Sequence, residues 1–301
     1  MSNTRPTRCP NEDCRFHLHA EPRFYTKMGY YRTKHNRRRV PRYRCRSCGK
    51  SLSTRTESPT AGQHKPQVNG MLMKLFCCGV TLRRSARILG VARDTAARKV
   101  GWLATQAHHR THIRNIDDGG IITSHVQFDE LETFECSKYQ PIGVSFAVRA
   151  KTGEIIDIEV AKKSAETRKG KSRGWTLDHT KAACESVMAT VRKCLKPGGT
   201  IATDGSRMYG AVIPKAVPGA DHRPYVRSEV SKEAKDDPVL NIAQNKRANH
   251  DPLFMVNHMC AKLRADISRL ARRTWATTKK LERLQDHLLI YTAFQNGYAI
   301  V

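Results

Sequence analysis

Four cysteines near the start of the chain form two close pairs, an arrangement that suits a metal ion. Four residues separate Cys9 from Cys14, two separate Cys45 from Cys48, and thirty lie between the pairs. Zn²⁺ prefers tetrahedral thiolate ligation, and two such knuckles supply four ligands. We therefore predict a structural zinc site formed by Cys9, Cys14, Cys45 and Cys48. The alternative is a group of unligated or redox-active thiols.

The segment between the cysteine pairs predicts two strands, FYTKMGYYR and RRRVPRYRC, joined by a turn at residues 34–36. Together these features predict a zinc ribbon over residues 1–60, in which the metal replaces a hydrophobic core. Three histidines could substitute for a cysteine ligand: His17, His19 and His35. The other six cysteines lie in apolar or helical settings typical of small core residues.

Two aspartates further along the chain suggest phosphodiester chemistry. Asp129 lies within a strand-like run over 122–134, and Asp204 ends a short predicted strand over 200–203. An unpaired charge inside an apolar strand is costly, and two neighbouring carboxylates repel unless a cation lies between them. We therefore predict that both bind catalytic Mg²⁺ or Mn²⁺. Taken singly, Asp129 is also compatible with a surface position on an edge strand, and Asp204, before Gly205, with a turn.

The elements around these aspartates predict an α/β fold with a mixed sheet. Strand-like runs at 140–150 and 153–161 form a predicted hairpin, and a helix is predicted at 178–195. After a long loop-rich stretch, a second helix is predicted from 253 to 274. Strands, a helix, a strand ending in an acid and a late helix indicate a catalytic domain over residues 116–301.

Between these regions, residues 61–115 predict a helix-turn-helix. Glycine breakers divide the segment into helices at about 68–78, 82–89 and 92–107. The apolar pattern places Ala86, Leu89, Val91, Ala96 and Val100 in a core. The third helix would then expose the residues expected to contact DNA, namely Arg93, Asp94, Thr95, Arg98 and Lys99. The alternative is an ordinary three-helix bundle with a solvated charged face.

Charge supports a nucleic-acid partner. The net charge is +27, and the first 115 residues, with 25 Lys or Arg and 5 Asp or Glu, contribute +20 of it. Such an excess indicates binding to a polyanion. No apolar run approaches the ~18 residues of a membrane span, and the first thirty residues lack a secretory signal core. These features and the uneven cysteine spacing predict a cytoplasmic protein without a membrane partner.

Five segments, in this order, resemble bacterial insertion-sequence transposases of the zinc-ribbon InsA/InsB type. Tyr43–Lys50 is similar to the second zinc knuckle, Phe128–Leu131 to the first acidic motif and Thr203–Tyr209 to the second. Leu263–Trp275 resembles the basic helix after the third acidic motif, and Tyr291–Asn296 the closing segment. The resemblance covers nearly the whole chain and depends on the order of the motifs, since none of them is very specific alone.

The resemblance implies an RNase H-like fold and strand transfer of the DDE type, by an oligomer of this chain bound to DNA. It places the third acid at Asn257, so the predicted triad is Asp129, Asp204 and Asn257. An amide oxygen still binds hard cations, though it is neutral. Asp251 and Asp266 are alternative third ligands, although Asp266 is expected on the opposite side of the helix. Basic residues between 262 and 280 are either a DNA backbone contact or a solvated face.

The function predicted from these features is a DNA transposase that binds terminal inverted repeats of double-stranded DNA, cuts them and joins them to a target. Two alternatives stay open. One is a domesticated DNA-binding regulator without activity, because Asn257 replaces an acid. The other is a sequence-specific nuclease without strand transfer.

Overall fold

The chain divides into two compact units, residues 1–69 and residues 70–301. A computed structural model describes residues 5–33, 37–113, 122–225, 251–271 and 276–298. The predicted turn at 34–36, together with His35, lies outside the described residues, as do Arg272, Arg273 and Trp275.

The smaller unit is a three-stranded antiparallel sheet with very little core. Its elements are α1 (Arg15–Leu18), β1 (Tyr25–Arg32), β2 (Arg39–Cys45) and β3 (Ser51–Ser53), with strand order β1-β2-β3. The first two strands confirm the predicted hairpin, whereas three-residue β3 is too short to give a pattern. Buried apolar groups are confined to a small cluster that includes Phe16, Phe24 and Leu52 beside the cysteines. A unit with so little apolar burial depends on another source of stability.

The larger unit contains a five-stranded sheet and most of the helices. In chain order its elements are α2 (Asn69–Cys77), α3 (Leu82–Ile88), α4 (Arg93–His112), β4 (Thr123–Phe134), β5 (Pro141–Arg149), β6 (Ile155–Lys162), α5 (Arg168–Lys171), α6 (Thr180–Cys194), β7 (Leu195–Asp204), α7 (Arg207–Ala216), β8 (Asp221–Tyr225), α8 (Phe254–Asp266) and α9 (Leu281–Gln295). Gly79 and Gly90, at φ values of 78° and 59°, follow α2 and α3 as the breaker pattern predicts.

The sheet is mixed and has β4 at its centre. Its order is β6-β5-β4-β7-β8: β4, β5 and β6 are antiparallel neighbours, whereas β7 pairs parallel to β4 and β8 pairs parallel to β7. The chain passes from β6 to β7 through α6, as a crossover to a parallel strand requires. This topology confirms a mixed α/β fold with a separate small sheet.

Helices cover both faces of the large sheet. On one face α6 and α7 pack against apolar residues of β4, β6 and β7; on the other, α2–α4, α8 and α9 pack in one continuous core with β4, β5 and β6. Coverage on both sides explains why β5 is buried along nearly its whole length. The helices of the segment predicted as a helix-turn-helix therefore share their core with the sheet, and Ala86, Ala96 and Val100 are buried there as expected.

Several elements differ from the sequence-based expectations. Helix α8 ends at Asp266, eight residues earlier than predicted, because Ile267 is extended and buries its side chain. Strand β7 begins at Leu195 rather than at residue 200. It includes a Pro-Gly-Gly stretch that, in the sequence, indicates the end of a helix. Helix α7 and strand β8 were not predicted; α7 contains Pro214, and β8 is mostly polar and exposed. Within the described residues, no helix is both long and apolar enough to cross a membrane.

Candidate active site and metal centre

The four cysteines of the smaller unit converge on one point. Their sulfur atoms all lie within 4.8 Å of one another, with Sγ–Sγ distances of 3.5 Å for Cys9–Cys48 and 3.7 Å for Cys14–Cys45. Four sulfurs bound tetrahedrally at ~2.3 Å from Zn²⁺ are ~3.8 Å apart. The cage therefore has the dimensions and the donor set of a structural zinc site, and it combines the two predicted pairs.

The surroundings of the cage favour thiolate at Cys48 and exclude one competing ligand. A hydrogen bond from the backbone N–H of Lys50 lowers the pKa of Cys48 to about 7. His17 does not belong to the cluster of ligand atoms, and its Nδ1 lies 2.8 Å from the carbonyl oxygen of Cys9. His19 is exposed and does not belong to the cluster. Among the described residues, the four cysteines are the one group of three or more Cys, His, Asp or Glu that fits a metal.

In the larger unit, the sheet brings Asp129 and Asp204 to adjacent positions. The parallel register of β4 and β7 pairs Gln127 with Ala202, and two further residues along each strand are Asp129 and Asp204. Asp204 is exposed at the end of β7, where its Oδ1 accepts the N–H of Ser206 at 3.0 Å. The two aspartates thus lie at neighbouring positions on one face of the sheet, where β7 ends and the chain continues into α7.

Asp129 is held in a partly desolvated position. Burial, together with the nearby charges of Asp204 and Glu130, raises its pKa to about 6, although the N–H of Glu130 and the charge of Arg264 act in the opposite direction. Its Oδ1 accepts a 2.7 Å hydrogen bond from the N–H of Glu130. A partly buried carboxylate beside a second carboxylate is an arrangement that a cation stabilises, and pKa shifts of this origin are typical of functional sites.

Gln127 fixes helix α8 against the strand that carries Asp129. Its Nε2 donates to the carbonyl of Pro252 at 2.7 Å, and its Oε1 accepts the N–H of Val256 at 2.9 Å. Because side chains alternate along a strand, Gln127 and Asp129 share the face that α8 covers. The charges of Asp129 and Arg264 consequently interact. Gln127 matches no motif in the sequence, although its position two residues before Asp129 is the signal that could have identified it.

Asn257 lies on α8 but forms no hydrogen bond to Asp129 or Asp204. It is exposed, and its Nδ2 donates to Oδ2 of Asp251 at 2.9 Å. This bond uses the amide nitrogen and leaves the carbonyl oxygen Oδ1 at the other end of the group. Of the two alternative acids, Asp251 also accepts the N–H of Leu253 at the start of the helix, and Asp266 accepts the hydroxyl of Tyr291 at 2.7 Å. Asp266 is half-buried at the end of α8 and is engaged with Tyr291.

An ion-pair cluster lies on the opposite face of β4. Lys163 contacts the carboxylates of Glu130, at 3.0 Å, and of Glu132. The side chain of Glu130 is largely buried against Gly143, where an added Cβ would lie 2.7 Å from Oε2. This cluster holds the carboxylate of Glu130 on the face of β4 opposite Asp129. Glu130 therefore adds negative charge to the region but does not lie on the face that carries the two aspartates.

The proposed DNA-contacting residues of α4 differ in exposure. Arg93 and Arg98 are exposed and Thr95 is half-buried, whereas Lys99, expected on the surface, is buried with 5% of its surface exposed. The expectation for Lys99 was wrong because α4 packs along its length against the core that includes α9. Position 99 lies three residues after Ala96 and four before Leu103, both buried, and thus on the same stripe of the helix.

Comparison with known proteins yields little. No protein-family model matches the chain, and no curated protein matches it. It is similar to a chain in a cryo-EM structure of the simian T-cell lymphotropic virus intasome in complex with PP2A regulatory subunit B56 gamma. The TM-score is 0.24 and the identity 16%, over 73% of this chain and 72% of that chain. A likeness this weak carries no argument about function.

Proposed function

We propose that this protein is a metal-dependent DNA transposase with an RNase H-like catalytic unit. The observation that carries the proposal is the adjacency of Asp129 and Asp204 on two parallel strands at the centre of a mixed sheet. An RNase H-like sheet is expected to place its first strand centrally, the strand of the second acid beside it and a late helix across them. The order β6-β5-β4-β7-β8, with α8 covering the face of Gln127, supports that assignment.

The residues at the carboxylate pair suit a divalent cation. Asp129 and Asp204 supply two anionic oxygen ligands, and Oδ1 of Asn257 is our proposed neutral third ligand. Mg²⁺ or Mn²⁺ bound there would activate an attacking oxygen and stabilise the leaving one in phosphodiester transfer. Gln127 holds α8 in register with β4, and Asp251 orients the amide of Asn257.

The charge distribution supports double-stranded DNA as the substrate. The basic N-terminal 115 residues carry most of the +27 net charge, and Arg93 and Arg98 are exposed at the start of α4. We propose that these residues and the zinc ribbon hold terminal inverted repeats, and that oligomers of the chain act on paired ends. Contacts to phosphates make such binding strongly dependent on salt.

The decisive experiment incubates the full chain with duplexes that carry the DNA flanking its own reading frame, in Mg²⁺ or Mn²⁺. We expect cleavage and joined products from the wild type, and neither from Asp129→Ala or Asp204→Ala, with DNA binding retained. Asp221→Ala is the matched control, since Asp221 is an exposed carboxylate at the opposite end of the neighbouring strand β8. Normal cleavage by Asp204→Ala would contradict the proposed site.

The inactive regulator is a second candidate, because Asn257 bonds to Asp251 and to neither Asp129 nor Asp204. That function predicts binding of the flanking DNA without cleavage in either metal. A nuclease without strand transfer predicts cleaved but never joined products. Asn257→Ala distinguishes an active triad from a decayed one: it should lower turnover in the first case, and Asn257→Asp should be tolerated.

A further inference from the structure

The smaller unit contains a basic pocket whose lining does not include its cysteine knuckles. A cavity of about 520 Å³ lies between the end of β1 and the turns that follow β3. Its size falls within the ~300–1,000 Å³ typical of ligand pockets. Four basic side chains line it, namely Arg32, Arg55, His64 and Lys65.

Among the residues that the structure describes, no acid lines this pocket. The one acid in the turns that form its wall, Glu57, is engaged elsewhere: its carboxylate accepts the N–H and hydroxyl of Thr7, at 3.2 and 2.8 Å, and the N–H of Arg8, at 3.2 Å. Neither Arg32 nor Arg55 forms an ion pair with a described residue. The charges of Arg32 and Arg55 are therefore not neutralised by an ion pair within the described part of the chain.

The remaining lining includes several hydroxyl groups and is shaped by hydrogen bonds. The hydroxyl of Tyr31 lies 3.3 Å from Oγ of Ser53, and the N–H of Ser53 donates to Oγ1 of Thr56 at 2.9 Å. Lys65 adopts a left-handed backbone, with φ 49° and ψ 56°, immediately before Pro66. Hydroxyl groups and the ring of Tyr31 therefore lie beside the basic side chains, so the pocket offers neutral hydrogen-bond donors as well as positive charge to a phosphate group.

We propose that this pocket binds one phosphodiester of a DNA strand, with Arg32 and Arg55 as the principal contacts. Arginine presents planar, bidentate donors that match phosphate oxygens. The inference rests on the proposed function only in taking DNA as the polyanion. It adds a defined anchor for the backbone in the smaller unit, separate from the start of α4.

The test measures binding of the full chain to a labelled duplex over a series of salt concentrations. Each phosphate contact contributes ~0.9 to the slope of log affinity against log salt, so Arg32→Ala/Arg55→Ala should lower that slope by ~1. Losing a charge-assisted contact should also weaken binding about tenfold at low salt. The matched control is Arg8→Ala/Arg46→Ala, which removes the same charge from exposed positions outside the pocket, and it should have a clearly smaller effect on both quantities.

A charge-preserving variant guards against misfolding. Arg32→Lys/Arg55→Lys should keep the salt slope but lose affinity, because lysine keeps the charge and lacks the fork. Zinc content and circular dichroism establish that each variant is folded. If Arg32→Ala/Arg55→Ala loses zinc, the test depends on Arg32→Lys/Arg55→Lys. Unchanged DNA affinity in that variant overturns the proposal.

Four further outcomes are decisive. Equal effects of the pocket pair and the control pair would show only diffuse charge attraction and would overturn the pocket. Binding of inorganic phosphate to the wild type but not to the alanine pair, with DNA affinity unchanged by phosphate at constant ionic strength, would assign the pocket to a free anion instead. A wild type that binds no duplex at all would contradict the proposed function itself. A pocket variant that binds duplex normally would contradict the pocket alone.

Discussion

Replacing Asp129 by Asn removes a charge that the folded chain holds at an energetic cost, so we predict that the variant is more stable than the wild type at neutral pH. Asp129 lies partly buried on β4, near the charges of Asp204 and Glu130, and its pKa in the folded chain rises from 3.8 to about 6. A raised carboxyl pKa means that the folded state binds the proton more tightly than the unfolded chain. The contribution of this carboxyl group to the stability of the fold is therefore complete below pH 3.8, and it is lost as the pH rises through about 6.

The size of this effect follows from the difference between the two pKa values. About two pKa units correspond to ~3 kcal/mol of unfolding free energy, which is an upper limit. Asp129 retains some contact with solvent, so screening reduces the expected gain for Asp129→Asn to ~1–2 kcal/mol above pH 7. At pH 4.5 the wild-type carboxyl is largely protonated when folded, so the difference between the proteins should be smaller.

Urea unfolding of both proteins from pH 4.5 to 8, without added Mg²⁺ or chelator, measures this difference. The advantage of Asp129→Asn should grow with pH and level off above 7, while Glu166→Gln, an exposed control, should show no such trend. Added Mg²⁺ at pH 7.5 should then stabilise the wild type but not Asp129→Asn, because a ligand stabilises the state that binds it. Identical pH dependence in the wild type and Asp129→Asn would refute the argument that burial and neighbouring charge strain this carboxylate.

Three further predictions concern other parts of the chain. Elemental analysis should find about one zinc per chain, and Cys45→Ser should release the metal and unfold the smaller unit; full zinc retention would reject the four-cysteine ligand set. Arg98→Ala should weaken duplex binding and lower the slope of log affinity against log salt by up to ~0.9. Lys99→Met, at a buried position, should leave that slope unchanged. Equal slopes in the two variants would argue against α4 as a DNA contact. Burial lowers the pKa of His287 to about 3, so the imidazole stays neutral in the folded protein while it becomes protonated in the unfolded chain. Between pH 7.5 and 5 the free energy of unfolding of the wild type should therefore fall by ~2 kcal/mol more than that of His287→Gln. Equal falls for the two proteins in urea unfolding would contradict a buried neutral imidazole.

The sequence alone determined those features that depend on local spacing. The cysteine pairs predicted the ligand set because each knuckle is formed by residues close in the chain, and the structure places all four sulfurs together. Glycine breakers and apolar periodicity predicted α2, α3 and α4 with boundaries within a few residues, except for the C-terminal end of α4. The concentration of positive charge in the first 115 residues is likewise a property of composition.

The tertiary structure decided which distant residues become neighbours. Asp129 and Asp204 are 75 residues apart, and only the parallel pairing of β4 with β7 brings them together. Packing of α4 into the core of the larger unit buries Lys99, which residue type alone assigns to the surface. Asn257 bonds to Asp251, six residues before it and just ahead of the helix, and no motif indicates that partner. Local spacing constrains only residues joined by a short stretch of backbone, whereas sheet register and helix packing depend on side chains contributed by the whole chain.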